Sequence, residues 1–74
     1  MAYKSMGFIG GGRVTRIILE GLNRKKMLPP AIVVSDANGE ALQKLKEKFP
    51  KIQTVQGDNA KPAGQDLVFL ALHP

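Results

Sequence analysis

The sequence has no cysteine and no tryptophan, and only one tyrosine and three phenylalanines among its 74 residues. Without cysteine there is no disulfide, no zinc–thiolate centre, no thiol redox chemistry and no cysteine nucleophile. That absence suits a reducing compartment, and a cytoplasmic location is expected. The few aromatics follow no RNA-binding signature and leave no stacking platform for single strands. Long apolar runs are missing too. The longest, Leu67 to Leu72, has the length of a strand, far short of the roughly 20 residues that span a bilayer. The amino end lacks the apolar core and small-residue cleavage site of a signal peptide. Neither a membrane nor a nucleic acid is expected as a partner.

Length sets a further bound. A chain of 74 residues is about half a typical domain and buries only roughly 60% of the surface its unfolded form exposes. It is therefore expected to be idealised, oligomeric or part of something larger. Acidic residues are scarce, 6 against 11 Lys and Arg, for a net charge of +5. The cations are dispersed: Arg24-Lys25-Lys26 and Lys44, Lys46, Lys48 and Lys51 read as solvated helix faces and ends, where Lys complements the C-terminal end of a helix dipole.

What is present is an alternation of strand and helix signals. Lys4 to Ile9 is a short, mostly apolar run that enters three consecutive glycines, as a buried strand entering a tight turn does. Val14, Ile17, Ile18 and Leu22 then form one stripe of a helix running to about Lys26, which must stop by Pro29-Pro30. Gly21 sits on that stripe, and close packing against a strand is the expected compensation for a mid-helix glycine. Ala31 to Ser35 is continuous and β-branched, like a strand covered on both faces. Asp36 to Gly39 is a turn, with Asn38 placed to cap a helix that carries Leu42, Leu45 and Phe49 and is closed by Pro50. Ile52 to Gln56 supplies a third strand, Gly57 to Asn59 a turn, Ala60 to Gln65 a loop or a single helical turn, and Leu67 to Leu72 a fourth strand. The order predicts an α/β fold, a parallel four-stranded sheet flanked by helices.

The glycines carry the chemistry. Gly10-Gly11-Gly12-Arg13-Val14-Thr15 lies between a predicted strand and a predicted helix, the context that a G-x-G-x-x-G/A fingerprint requires. Gly10 suits the tight turn and Gly12 lets the backbone approach a pyrophosphate, which the helix start then meets with unpaired N–H groups and a positive dipole end. The third position is Thr15, a β-branched residue where Gly or Ala is expected, and it takes more room between helix and strand. Asp36 follows the second strand, 21 residues after Thr15, where a Rossmann unit places the acid that bonds the adenosine ribose. A ligand-free corner and an ordinary turn aspartate are the plainer alternatives. The pair of features favours dinucleotide binding. Arg13 neutralises a phosphate or projects into solvent, Asn59 bonds a ribose or closes a turn, and His73 lies at the ligand edge or is simply exposed.

Read together, several segments resemble the amino-terminal, cofactor-binding part of pyrroline-5-carboxylate reductase. They are Met6-Gly7-Phe8-Ile9-Gly10-Gly11-Gly12, Gly21-Leu22, Leu28-Pro29-Pro30, Ile32-Val33-Val34-Ser35-Asp36, Asp58-Asn59 and Asp66-Leu67-Val68-Phe69-Leu70-Ala71-Leu72-His73-Pro74. The chain is also similar, less closely, to the cofactor half of deazaflavin-dependent NADP oxidoreductases. The resemblance implies a half-Rossmann domain over residues 1–74 in a reductase that passes hydride from NADPH or NADH to a cyclic imine, making proline. It implies that Ile9, Gly10, Gly11, Gly12, Arg13 and Val14 hold the pyrophosphate and that Ser35 and Asp36 meet the adenosine ribose or its phosphate. It also implies that Asn59 contacts the cofactor and that Ala71, Leu72, His73 and Pro74 pass beside it. No residue is expected to be catalytic and no metal is expected. Members of the family add a helical substrate and dimerisation domain, so these 74 residues are expected to be inactive alone. The rival expectation is a binding module without catalysis that self-associates through an exposed sheet edge.

Overall fold

The computed structural model describes residues 4–71. It contains β1 (Ser5–Ile9), α1 (Arg13–Arg24), β2 (Ala31–Asp36), α2 (Gly39–Lys48), β3 (Gln53–Gln56), α3 (Ala60–Ala63) and β4 (Leu67–Leu70). The strands form one four-stranded, wholly parallel sheet in the order β3-β2-β1-β4. Parallel neighbours need a crossover between them, and each crossover here is a helix. This is the expected Rossmann-like arrangement. Its strands are trimmed relative to the sequence reading: β1 begins at Ser5, β3 at Gln53, and β4 ends at Leu70. Conversely, β2 continues through Asp36, which pairs with Gln56 instead of opening the turn.

Strand alternation separates two faces. Met6 and Phe8 of β1 lie level with Ile32 and Val34 of β2. They share a core with Leu19 of α1, Leu42 and Leu45 of α2, and Phe49 and Ile52 beyond it. Phe8 stacks on Phe69 of β4 with ring centroids 5.0 Å apart. The intervening residues face α3, and there the approach is very close. A Cβ built on Gly7 would lie 1.9 Å from the carbonyl oxygen of the buried Pro62. Covered on both sides, β2 reads as an unbroken apolar run for a physical reason.

Helix α1 departs from the expected stripe. Its buried residues are Thr15 and Leu19, with Ile18 and Leu22 packed partly against the core. Val14 and Ile17 are 54% and 55% exposed. The sequence pattern misleads here because Thr15 counts as polar, yet its hydroxyl donates to the Gly10 carbonyl and so can be buried without loss. Gly21 faces open space, since a Cβ there meets nothing within 4 Å outside its own helix. The expected compensating strand contact is therefore absent among the described residues. The helix also stops before the prolines act. Lys26 adopts φ 56°, and the N–H groups of Lys26 and Met27 return to the carbonyls of Asn23 and Leu22 at 3.0 and 2.8 Å, a Schellman closure.

The two helix-side glycines are expected to respond oppositely to alanine. Gly7→Ala overpacks the sheet against α3 and should cost about 1 to 3 kcal/mol or more. Gly21→Ala meets open space and should add about 0.5 to 1 kcal/mol. Urea denaturation of the two variants measures both signs.

Candidate functional site

In the order β3-β2-β1-β4 the chain direction across the sheet reverses between β1 and β4. Open α/β sheets bind ligands at that reversal, beyond the carboxyl ends of the strands. The connection leaving β1 there begins with Gly10, which has φ 114°, a backbone that side-chain-bearing residues rarely adopt. Its N–H donates to the Ser35 carbonyl at 2.7 Å. A Cβ on it would lie 2.4 Å from the Ala71 carbonyl oxygen, and Ala71 in turn donates its N–H to Ile9 at 2.9 Å. Ile9, Gly10 and Ala71 thus meet at one corner. Leu72, His73 and Pro74, also expected at the site, lie outside the described residues.

The next two glycines do different work. Gly11 is buried, and its N–H donates to Asp36 Oδ2 at 2.7 Å. The other carboxylate oxygen of Asp36 accepts the Asn38 N–H at 2.9 Å. Asn38 then caps α2, its side chain accepting from Glu40 and Ala41 as the sequence predicts. Gly12 is the N-cap of α1 in ordinary extended backbone, with φ −87° and ψ −151°. Among the described residues no side chain caps this helix, and its first turn holds no acidic residue. The first intrahelical bond runs from Arg16 N–H to the Gly12 carbonyl at 3.1 Å. The N–H groups of Arg13, Val14 and Thr15 precede it and have no partner within the helix. They sit at the positive end of the dipole, which makes this turn suited to an anion. Thr15 does not prevent helix and strand from meeting, because it is buried and bonded to the loop itself.

Ser35 and Asn59 come together from different connections. Ser35 is fully buried, and its hydroxyl donates to Asn59 Oδ1 at 2.7 Å. Asn59 stands at the start of α3, is exposed, and keeps its amide N–H groups uncommitted among the described residues. Ser35 therefore positions Asn59 and presents no surface of its own.

The cations are less dispersed in space than in sequence. Arg13 and Arg16 of α1 and Lys44 and Lys48 of α2 line one cleft of about 330 Å³ whose floor includes Gly11 and Gly12. Arg16 and Lys44 were not legible as site residues, although Arg13 and Arg16 are one helical turn apart and so share a face. Lys48 also pairs with Glu20 of α1. That hydrogen bond, ahead of the charges of Lys48, Arg16 and Arg24, holds the Glu20 carboxyl below its ordinary value. A larger hollow of about 720 Å³ lies among Pro29, Pro30, Pro50 and Lys51, at the end of the sheet where the strands begin and ligands are not bound. Among the described residues no cluster of His, Cys, Asp or Glu is arranged to hold a metal ion, and no helix is long and apolar enough to cross a membrane.

Residues 5–74 match the family model described as NADP oxidoreductase, coenzyme F420-dependent. No curated protein and no solved structure matches the chain.

Two measurements check this geometry. Thr15→Val keeps the shape but leaves the Gly10 carbonyl without its donor, and should cost about 1 to 3 kcal/mol in urea denaturation. Glu20→Gln tests the α1–α2 ion pair. A carboxyl held below its ordinary value stabilises the fold above that value, and the contribution is lost as pH falls through the lowered one. Wild type should therefore exceed Glu20→Gln in stability at neutral pH and low salt. The difference should begin to fall as pH drops below the ordinary carboxylate value of 4.5, vanish only below the lowered one, and shrink at high ionic strength.

Proposed function

On the premise that the chain belongs to the NADP oxidoreductase, coenzyme F420-dependent family, we propose that it binds a nicotinamide dinucleotide, NADP or NAD, at the turn between β1 and α1. The observation that carries this reading is Gly12. Its φ of −87° is one that any residue adopts, so its backbone conformation does not demand glycine, whereas close approach of a pyrophosphate does. In this reading Ile9, Gly10, Gly11, Gly12, Arg13 and Val14 form the pyrophosphate turn. The uncommitted N–H groups at the start of α1 donate to the anion, and Arg13 adds charge. Asp36 receives the adenosine ribose, Asn59, held by Ser35, offers its amide to the cofactor, and Ala71, Leu72, His73 and Pro74 pass beside it.

The residues present suit such a group. Backbone donors fixed before binding need no reorganisation, and the missing cap leaves them without a competing side chain. The dinucleotide, when bound, supplies the hydride, and the chain's contribution is to bind and orient it. By its resemblance to pyrroline-5-carboxylate reductase, the reduced substrate is a cyclic imine and the chain is the cofactor-holding part of a reductase. Hydride transfer also demands that the acceptor be held in near-attack geometry, a task the residues described here do not take on.

Gly12→Val separates folding from binding. Its circular dichroism should stay that of the folded chain, with a loss of about 1 kcal/mol for valine at the N-cap, while NADH and NADPH affinity, read by nicotinamide fluorescence where the variant is fully folded, should fall by at least about tenfold, the equivalent of 1.4 kcal/mol. Undiminished binding by this variant overturns the reading.

A further inference from the structure

Resting on that reading of the β1–α1 turn, we propose that Asp36 makes the site selective for NAD(H) over NADP(H), against the cofactor in the family's description. Asp36 is not a freely rotating turn residue. It is the last residue of β2, in register with Gln56, and both its oxygens are fixed by backbone donors, Gly11 at 2.7 Å and Asn38 at 2.9 Å. Each carboxylate oxygen carries further lone pairs, and every one of them accepts. A ribose 2′-hydroxyl has a proton to donate to such a group. A 2′-phosphate has none to spare at neutral pH and brings about two negative charges.

Among the described residues, the segments that adjoin Asp36 add no compensating cation. The residues after Asp36 are Ala37, Asn38, Gly39 and Glu40, and the loop following β3 carries Asp58. The Asn38 side chain is committed to capping α2. The basic groups Arg13, Arg16, Lys44 and Lys48 line the cleft over Gly11 and Gly12, and Asp36 is not among the residues lining it. Arg13, at the start of α1, serves the pyrophosphate that both cofactors share, and Lys48 is paired with Glu20, so these cations do not discriminate between the two. Discrimination falls to the carboxylate, and Asp36 cannot swing away without releasing Gly11 and Asn38.

The test is equilibrium binding to the full chain, read by nicotinamide fluorescence. NADH should bind about ten- to a hundredfold more tightly than NADPH, the effect of one like charge in a partly screened site. Asp36→Asn should bring the two affinities within about threefold, chiefly by strengthening NADPH. Should that variant not fold, 2′-deoxy-NADH decides on the wild-type chain: it should also bind more weakly than NADH, because a hydroxyl bonded to Asp36 is lost. NADPH binding as tightly as NADH, a preference that survives Asp36→Asn, or 2′-deoxy-NADH binding as well as NADH each overturns the assignment of selectivity to Asp36 while leaving dinucleotide binding intact. Binding of none of the three overturns the reading of the turn itself.

Discussion

The carboxylate of Asp36 accepts one backbone N–H from the glycine turn and one from the turn that opens α2, while its own carbonyl accepts Gly57 N–H from the connection after β3. Three loops at one edge of the sheet are thereby referred to a single residue. Bonds to an ionised acceptor are about twice as strong as neutral ones, and loop amides left without partners would cost more still. Much of the local geometry follows from this one tie. Gly11 is drawn inward, so Gly12 and the start of α1 become the outermost part of the turn. Asn38 is set where its side chain caps α2. The terminal pairing of β2 with β3 is extended by one residue, through Asp36 and Gln56.

The start of α1 is built at a local electrostatic disadvantage. Arg13 and Arg16 stand at the positive end of the helix dipole, the first turn holds no acidic residue, and among the described residues no side chain caps its amides. Each such omission typically costs a helix about 0.3 to 1 kcal/mol. By contrast α2 follows every convention of the same physics, with Asn38 as cap, Glu40 in its first turn and Lys46 and Lys48 in its last. Two helices of one small fold obey opposite rules. The proposed function accounts for the difference: in it an anion completes α1, and nothing needs to complete α2. Glu20 and Lys48 hold the two helices together further along, away from that end.

Element order and sheet direction were legible because strand and helix periods alternate without interruption, and because Gly10, Asn38 and the apolar run of β2 are each required locally. The pairing of Ser35 with Asn59 was not legible. It depends on α3 crossing the face opposite α1 and α2, which no local pattern encodes. The buried stripe of α1 was misread for a related reason: Thr15 changes from polar to buried only once the Gly10 carbonyl is placed beside it. The basic cleft needed two helices side by side before Arg13, Arg16, Lys44 and Lys48 could converge. Residues whose role is fixed by their neighbours in sequence could be read in advance. Those whose role is fixed by another element could not.

Gly7 belongs to neither the glycine turn nor the site, yet it sets the standoff between the sheet and α3, because the Pro62 carbonyl occupies the space a side chain would fill. Asn59 begins the helix that carries Pro62, and it reaches Ser35 only at that standoff. Residues 7 and 62 therefore behave as a matched pair. Any thickening at one demands a retreat at the other, and a retreat of α3 would lift the Asn59 amide off the sheet edge without altering a single residue of the turn between β1 and α1. The calibration of the site is thus lodged in a layer thickness beneath it, in a strand position that touches no ligand.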